Sequence, residues 1–238
     1  MKTGAILQSG HNKATPDQLY RALVAHKQRL DDTVSPRDSK VVGLTEQAAD
    51  KFDAPIREFC DETGMHFYHP ARRGPNECAL LSSRPIASRM SFRLNDKRLD
   101  PKVTGRSAPL YVVGFRPRGD SWFGIWHSPA HNGGLDPDNH ATDVWLDAWR
   151  GMKRWRMRLE GKPTIMGDFN ADPNRAHVRD ILLARFPKME WAGTGRQRPT
   201  EGGRVIDGFV TRRRVLRRAR TLPAMDGFDH RAVIVVLG

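Results

Sequence analysis

Cysteine is nearly missing: Cys60 and Cys78 are the only two in 238 residues. That excludes a disulfide framework and a thiolate zinc site, which need several thiols at short spacing. The pair reads as buried thiols in a reducing compartment. Long apolar runs are missing as well. No stretch approaches the ~20 residues a membrane helix needs, and the opening Met1-Lys2-Thr3-Gly4-Ala5-Ile6-Leu7-Gln8 turns polar too soon for a signal peptide. The expectation is an intracellular protein without membrane insertion. Repeats, low-complexity tracts and interdomain linkers are absent, so one domain over residues 1–238 is expected, long enough to bury a core without staples. Apolar residues are few, at 38%, which predicts extensive polar loops; six Trp and ten Phe exclude disorder of the whole chain. Acids are also few, 27 against 40 Lys plus Arg, leaving a formal charge of +13. Such an excess concentrates polyanions around the protein and speeds encounter with them. Nucleic acid is the first candidate partner and an anionic membrane the second, although composition alone fits equally a basic protein whose charge serves solubility.

Residues 5–9 read as a first strand ending at Gly10-His11-Asn12. Thr15 is set to cap a helix with Pro16 at its first position, and Leu19, Tyr20, Leu23, Val24 and Leu30 give that helix one apolar face. Residues 40–44 form a short buried strand that delivers Thr45-Glu46; 54–63 read as a helix, and 65–68 and 78–81 as strands, the latter preceded by Glu77. Residues 89–94 alternate polar and apolar as a half-exposed strand does. Residues 109–115 and 122–126 pair around Arg116-Pro117-Arg118-Gly119-Asp120, and the second ends at His127. Helices are expected at 141–159 and 177–186, a strand carrying Asp207 at 204–211, and a buried last strand at 232–237. This order predicts an α+β sandwich with sheets inside and helices on the faces.

The densest signal is Thr164-Ile165-Met166-Gly167-Asp168-Phe169-Asn170-Ala171-Asp172. An apolar run stops at a glycine and then presents a carboxylate and a carboxamide two residues apart. In extended backbone such positions share a side, so Asp168 and Asn170 are expected to face one ligand. The carboxylate accepts a proton or holds a cation, and the amide donates to an oxyanion. Read alone, Asp-x-Asn is also a common turn cap, Glu46 a first-turn helix acid, and Asp207 a surface acid. Near the end, Asp226-Gly227-Phe228-Asp229-His230 sets an acid and an imidazole before a buried strand. Asn12, Glu46, His127, Asp168 with Asn170, Asp207, and Asp229 with His230 all fall beside strand–turn junctions. If those junctions meet, one pocket holds buried acids that need a compensating cation. Oxygen ligands select Mg2+ first, then Mn2+ or Ca2+.

With those motifs in that order, the chain resembles the endonuclease/exonuclease/phosphatase superfamily, the group holding deoxyribonuclease I and the apurinic endonucleases. The residues carrying the resemblance are Asn12, Glu46 in Val42-Gly43-Leu44-Thr45-Glu46, Gly167-Asp168-Phe169-Asn170, Ile206-Asp207-Gly208-Phe209, and Asp229-His230. They span nearly the whole chain. The resemblance implies a four-layered α/β sandwich, two stacked mixed sheets flanked by helices. It implies Glu46 as the main metal carboxylate with Asp229 and Asn12 beside it, and Asp168 as the residue that orients or deprotonates water. It further implies Asn170 as a phosphate donor, and His230, held by Asp207, as the imidazole that stabilises phosphoryl oxygens. His127 in Trp126-His127-Ser128-Pro129 resembles the deoxyribonuclease-like branch, with Glu77 implied as the acid that orients it. Thr45 and His11 depart from the family, which often has glutamine and an aromatic there.

The implied function is Mg2+-dependent phosphodiester hydrolysis of nucleic acid, with DNA endonuclease ranked first. The rivals are a phosphatase or phosphodiesterase acting on small nucleotides or inositol and lipid phosphates, and an inactive basic nucleic-acid-binding module. Residues 212–220 carry six arginines directly after the Asp207 strand. Arg212, Arg213 and Arg214, with the loop clusters Arg72-Arg73, Arg116-Pro117-Arg118 and Arg196, are expected to contact phosphates along the same face as the site. The alternative for 212–220 is an edge strand kept from aggregating by its charge.

Overall fold

Several strands of this chain are apolar on both faces, which requires a covering layer on each side. The computed structural model describes residues 2–10, 14–47, 49–69, 77–93, 111–127, 156, 163–170, 172, 175, 178, 180, 188–192, 206–212 and 215–238. These form twelve strands in two six-stranded sheets, together with two long helices. The first sheet has the order β11-β12-β1-β2-β4-β3, with β1 at Thr3–Gln8, β2 at Ser39–Gln47, β3 at His66–Tyr68, β4 at Glu77–Ser82, β11 at Leu216–Thr221 and β12 at Val233–Leu237. The second has the order β5-β6-β7-β8-β10-β9, with β5 at Ile86–Arg93, β6 at Tyr111–Pro117, β7 at Phe123–His127, β8 at Thr164–Asp168, β9 at Met189–Ala192 and β10 at Asp207–Arg212. Each sheet is mixed in the same way. One central pair is parallel, β1 with β2 and β7 with β8, and every other pairing is antiparallel.

The period-two alternation of side chains sorts the core into two layers. Ile6, Val42, Leu44, Ala79, Leu81 and Ile234 face helices α1 (Pro16–Asp31) and α2 (Ala49–Thr63), against Leu19, Leu23, Phe52 and Phe59. Ala5, Leu7, Val41, Leu80, Val233 and Val235 face the other way and meet Val113, Phe115, Phe123, Ile125, Met166 and Phe209 of the second sheet. The layers described are thus helix, sheet, sheet. Arg156, Val178 and Asp180 are helical; the remainder of the expected helices at 141–159 and 177–186 lies outside the described residues.

Helix α1 begins as expected. Thr15 accepts from the Gln18 backbone while the Gln18 side chain accepts from Thr15 N–H, a capping box with Pro16 at the first position. Helix α2 starts at Ala49, five residues ahead of the expected 54, and carries Pro55 inside it. Proline reads as a helix start because its interior use forfeits a backbone bond; here burial of Phe52 and Ile56 in the core holds the earlier turn in place. Strand β2 likewise runs past 44 to Gln47, so Glu46 is on a strand and not in a helix's first turn. Thr45 pairs with Cys78 and Gln47 with Glu77, which makes Glu46 the extra residue of a bulge.

Candidate active site

The parallel strands β1, β2, β7 and β8 all run toward one rim of the sandwich, and their C-terminal ends carry the polar residues. His127 is in register with Asp168, and Asp168 with Asp207. Three adjacent strands therefore set an imidazole and two carboxylates in one row. Two residues from the row along each strand, before it on β7 and β8 and after it on β10, Ile125, Met166 and Phe209 face the space between the sheets, so by alternation the polar row faces that space too.

Asp168 and Asp207 are almost fully buried, at 2% and 1% exposure. Burial disfavours ionised acids, and each is stabilised differently. Asp168 Oδ1 accepts the backbone N–H of Asn170 at 2.8 Å, and its Oδ2 lies 3.8 Å from His127 Nε2, too far for a hydrogen bond. Asp207 Oδ2 accepts from His230 Nδ1 at 2.7 Å, while Asp207 Oδ1 is buried without a hydrogen-bond partner among the described residues. Burial works against a charge on His230. The Asp207 charge and hydrogen bond, reinforced by Asp168 and Asp229, outweigh it and push the imidazole up to about 10. At neutral pH His230 is an imidazolium whose Nδ1–H is spent on Asp207.

The expectation that Asp168 and Asn170 share a side by strand parity fails. Strand β8 ends at Asp168, and Asn170 has φ of 49° in a left-handed turn closed by Asp168 itself. The turn-cap reading of Asp-x-Asn is correct for the backbone, because a short polar side chain that bonds two residues on stabilises this conformation. Asn170 stays beside Asp168 through that turn, not through the pleat.

His230 is seated by the end of β1. Gly10 has φ of 71°, and a Cβ there would fall 2.1 Å from Asp229 Oδ1 and 2.7 Å from His230 Cδ2. No other residue fits, on either ground. Next to it, Gln8 Nε2 donates to the carbonyls of Ser9 (2.8 Å) and His230 (3.0 Å), and Gln8 Oε1 lies 3.0 Å from His26 Nε2. Neither Gln8 nor His26 was expected from the sequence. His26 was detectable, since positions 19, 23, 26 and 30 lie on one helical stripe.

Of the metal residues implied by the resemblance, Asp229 sits at this rim beside Gly10. Glu46 and Glu77 have their backbones at the rim ends of β2 and β4; Asn12 lies outside the described residues. Asp168, Asp207 and His230 offer ligand atoms all within 4.8 Å of one another, a group that could hold a metal ion. The donor set fits a hard cation in its carboxylates. It fits less well at His230, because a protonated imidazole with Nδ1 engaged cannot ligate.

The basic residues are placed differently from the expectation. Arg212 ends β10, which Asp207 begins, so at ~3.3 Å per residue it is roughly 16 Å from the row. Arg116 and Arg118 flank the β6–β7 turn, at the opposite end of β7 from His127. A residue that follows a site residue along an extended strand moves away from it, which sequence adjacency hides. Arg217 and Arg218 are exposed on β11, the edge strand of the first sheet, where charge opposes edge pairing. Arg72, Arg73, Arg196, Arg213 and Arg214 lie outside the described residues.

Two stacked mixed sheets with this rim define the deoxyribonuclease I-like fold of the endonuclease/exonuclease/phosphatase proteins. No protein-family model and no curated protein matches the chain by sequence. By structure it is similar to an endonuclease/exonuclease/phosphatase family protein from Bacteroides thetaiotaomicron, at 15% identity over 100% of this chain and 97% of that one, with a TM-score of 0.65. It is similar to a 3'-5' exonuclease from Neisseria meningitidis at 14% identity, 99% and 98% coverage and a TM-score of 0.65. A mannosyl-6-phosphatase from Bacteroides thetaiotaomicron gives 15% identity, 100% and 99% coverage and a TM-score of 0.65.

Proposed function

We propose that the chain is a divalent-metal-dependent phosphodiesterase acting on nucleic acid, with DNA endonuclease activity ranked first. The observation that carries the reading is the Asp207–His230 pair at 2.7 Å set in the same rim as buried Asp168. Hydrolysis of a phosphodiester needs an oriented water, a stabilised leaving oxygen and neutralised phosphoryl charge. Asp168, its Oδ1 already fixed by Asn170 N–H, takes a proton from the attacking water. His230 is charged in advance by Asp207 and offers its Nε2–H to the phosphoryl oxygens, which is electrostatic stabilisation without reorganisation. His127, within 4 Å of Asp168, shares the row and supports the same face, with Glu77 as its proposed orienting acid. Glu46, Asp229 and Asn12 are the proposed ligands of a divalent cation, Mg2+ by preference, which when bound neutralises charge on the phosphate. The buried Asp168 and Asp207, side by side with one imidazolium between them, favour such an added positive charge.

The test is nicking of supercoiled plasmid in Mg2+, with EDTA, and with Asp168→Ala and His230→Ala. EDTA and either variant should lower cutting by roughly 10²-fold or more; variants that cut like the parent would overturn the assignment. A second reading is a phosphatase or phosphodiesterase of small phosphate esters. It is favoured by one observation: Arg116, Arg118 and Arg212, expected to contact phosphates, do not line the site. The likeness in fold to a sugar phosphatase is in keeping with it. Turnover of small phosphomonoesters with no cutting of plasmid, linear duplex, abasic duplex, single strands or RNA would put this reading first.

A further inference from the structure

Gln8 makes three hydrogen bonds, and their chemistry leaves one arrangement. The carbonyl oxygens of Ser9 and His230 can only accept, so the Gln8 NH2 group must face both of them. The Gln8 oxygen then faces His26 Nε2, which must carry the hydrogen. His26 lies on the buried side of α1 at 1% exposure and Gln8 at 0%, so water does not compete for the bond between them, nor for that from Gln8 to Ser9; the bond to His230 is part-buried. The last register pair of β1 and β12 is Leu7 with Val233, which places His230 beyond the ladder. Its carbonyl accepts from the Gln8 side chain. The chain of contacts thus runs from helix α1, through the end of β1, to the backbone of the residue whose ring pairs with Asp207.

We infer that Gln8 and His26 are positioning residues that fix the His230 backbone, and through it the seat of the His230 ring on Asp207. The inference rests on the functional reading above for its kinetic consequences, but not for its structural one. Loss of the Gln8 amide frees the His230 carbonyl and lets the ring drift from Asp207; a displacement of about 1 Å at a reacting group can lower turnover by ~10²-fold. His26 acts one step further away by holding the Gln8 amide in its one productive orientation.

The experiment compares Gln8→Met, His26→Leu and His26→Gln with the parent. Methionine keeps the length of Gln8 and removes its polar atoms; glutamine at 26 keeps an N–H donor, whereas leucine does not. Three readouts are taken: Tm, kcat and KM on plasmid or bis(p-nitrophenyl) phosphate, and the imidazole NMR signals of His230, assigned with His230→Asn. The expected result for Gln8→Met and His26→Leu is displaced or broadened His230 ring signals and a kcat lowered tenfold or more with KM nearly unchanged, with His26→Gln restoring both. A folded Gln8→Met with parental ring signals and parental kcat would overturn the inference. So would equal effects of His26→Leu and His26→Gln, since a role in packing alone does not distinguish them by donor. If the parent turns over no phosphoester, the functional reading fails while the ring signals still decide the positioning role. If Gln8→Met does not fold, the His26 pair decides it.

Discussion

Asp207 and His230 are 23 positions apart in the chain and 2.7 Å apart in space. Their pairing sets the charge of the imidazole, so Asp207→Asn, which keeps the shape and removes the charge, tests it directly. Turnover at neutral pH is expected to fall by roughly 10²–10⁴-fold, with Tm moved far less than turnover; a parental kcat would show that the ion pair has no part in the chemistry. Gly10 is a second single-residue test. Gly10→Ala forces a Cβ into Asp229 and the His230 ring and holds an L residue at positive φ. A loss of about 1–3 kcal/mol in urea unfolding is expected, together with weakened turnover; an unchanged unfolding midpoint would mean that the rim reshapes freely. The described acids and imidazole of the candidate site were legible at this scale, because Asp168, Asp207, Asp229 and His230 are chemically conspicuous residues at strand–turn junctions. Gln8 was not, since a glutamine at a strand end gives no sign of whose carbonyl it will meet.

At the level of elements, the row of His127, Asp168 and Asp207 depends on how closely β7 and β8 approach. Gly167 faces Trp126 across that parallel pair, and a Cβ there would lie 1.8 Å from the Trp126 carbonyl oxygen. Backbone cannot yield as a flexible side chain does. Gly167→Ala is therefore expected to separate the strands, taking His127 out of register with Asp168 and destabilising the fold by ~3 kcal/mol or more. Circular dichroism melts and soluble yield check this, and a variant as stable as the parent would contradict the described packing. Glycine before Asp168 thus serves strand approach, while the turn after Asp168 is made by Asn170. Element boundaries were read with mixed success for physical reasons. Helix α1 carries its own start signals in Thr15, Pro16 and Gln18. Helix α2 begins upstream of its proline because Phe52 is buried against the first sheet, a tertiary contact that outweighs local preference. Strand β9 went unread, since four residues too short to show a period become a strand only beside β10.

For the whole molecule, the buried His26 couples stability to pH. Burial lowers its pKa from 6.5 to about 4, so the folded state keeps it neutral where the unfolded chain is protonated. The folded state binds fewer protons between those values, and stability rises with pH there. His26's contribution is complete above about 6.5 and is lost as pH falls through about 4, on the order of 3 kcal/mol in all. Urea unfolding at pH 7 and pH 4.5 should show this fall in the parent and a smaller one in His26→Gln; equal falls would place the acid sensitivity elsewhere. The global charge follows a different rule from the site. The +13 excess is fixed by composition, but where it sits is decided by strand direction, which carries Arg116, Arg118 and Arg212 to the end opposite the acidic row. By itself the sequence determined the layered class, through runs apolar on both faces, and the inventory of acids and imidazoles at strand ends, because both are properties of residue type and spacing. Only the tertiary structure decided which of those groups meet, which glycines allow the approach, and which buried amide holds His230. These depend on distances between segments far apart in the chain, and such distances are set by packing and register across strands, which no local pattern encodes.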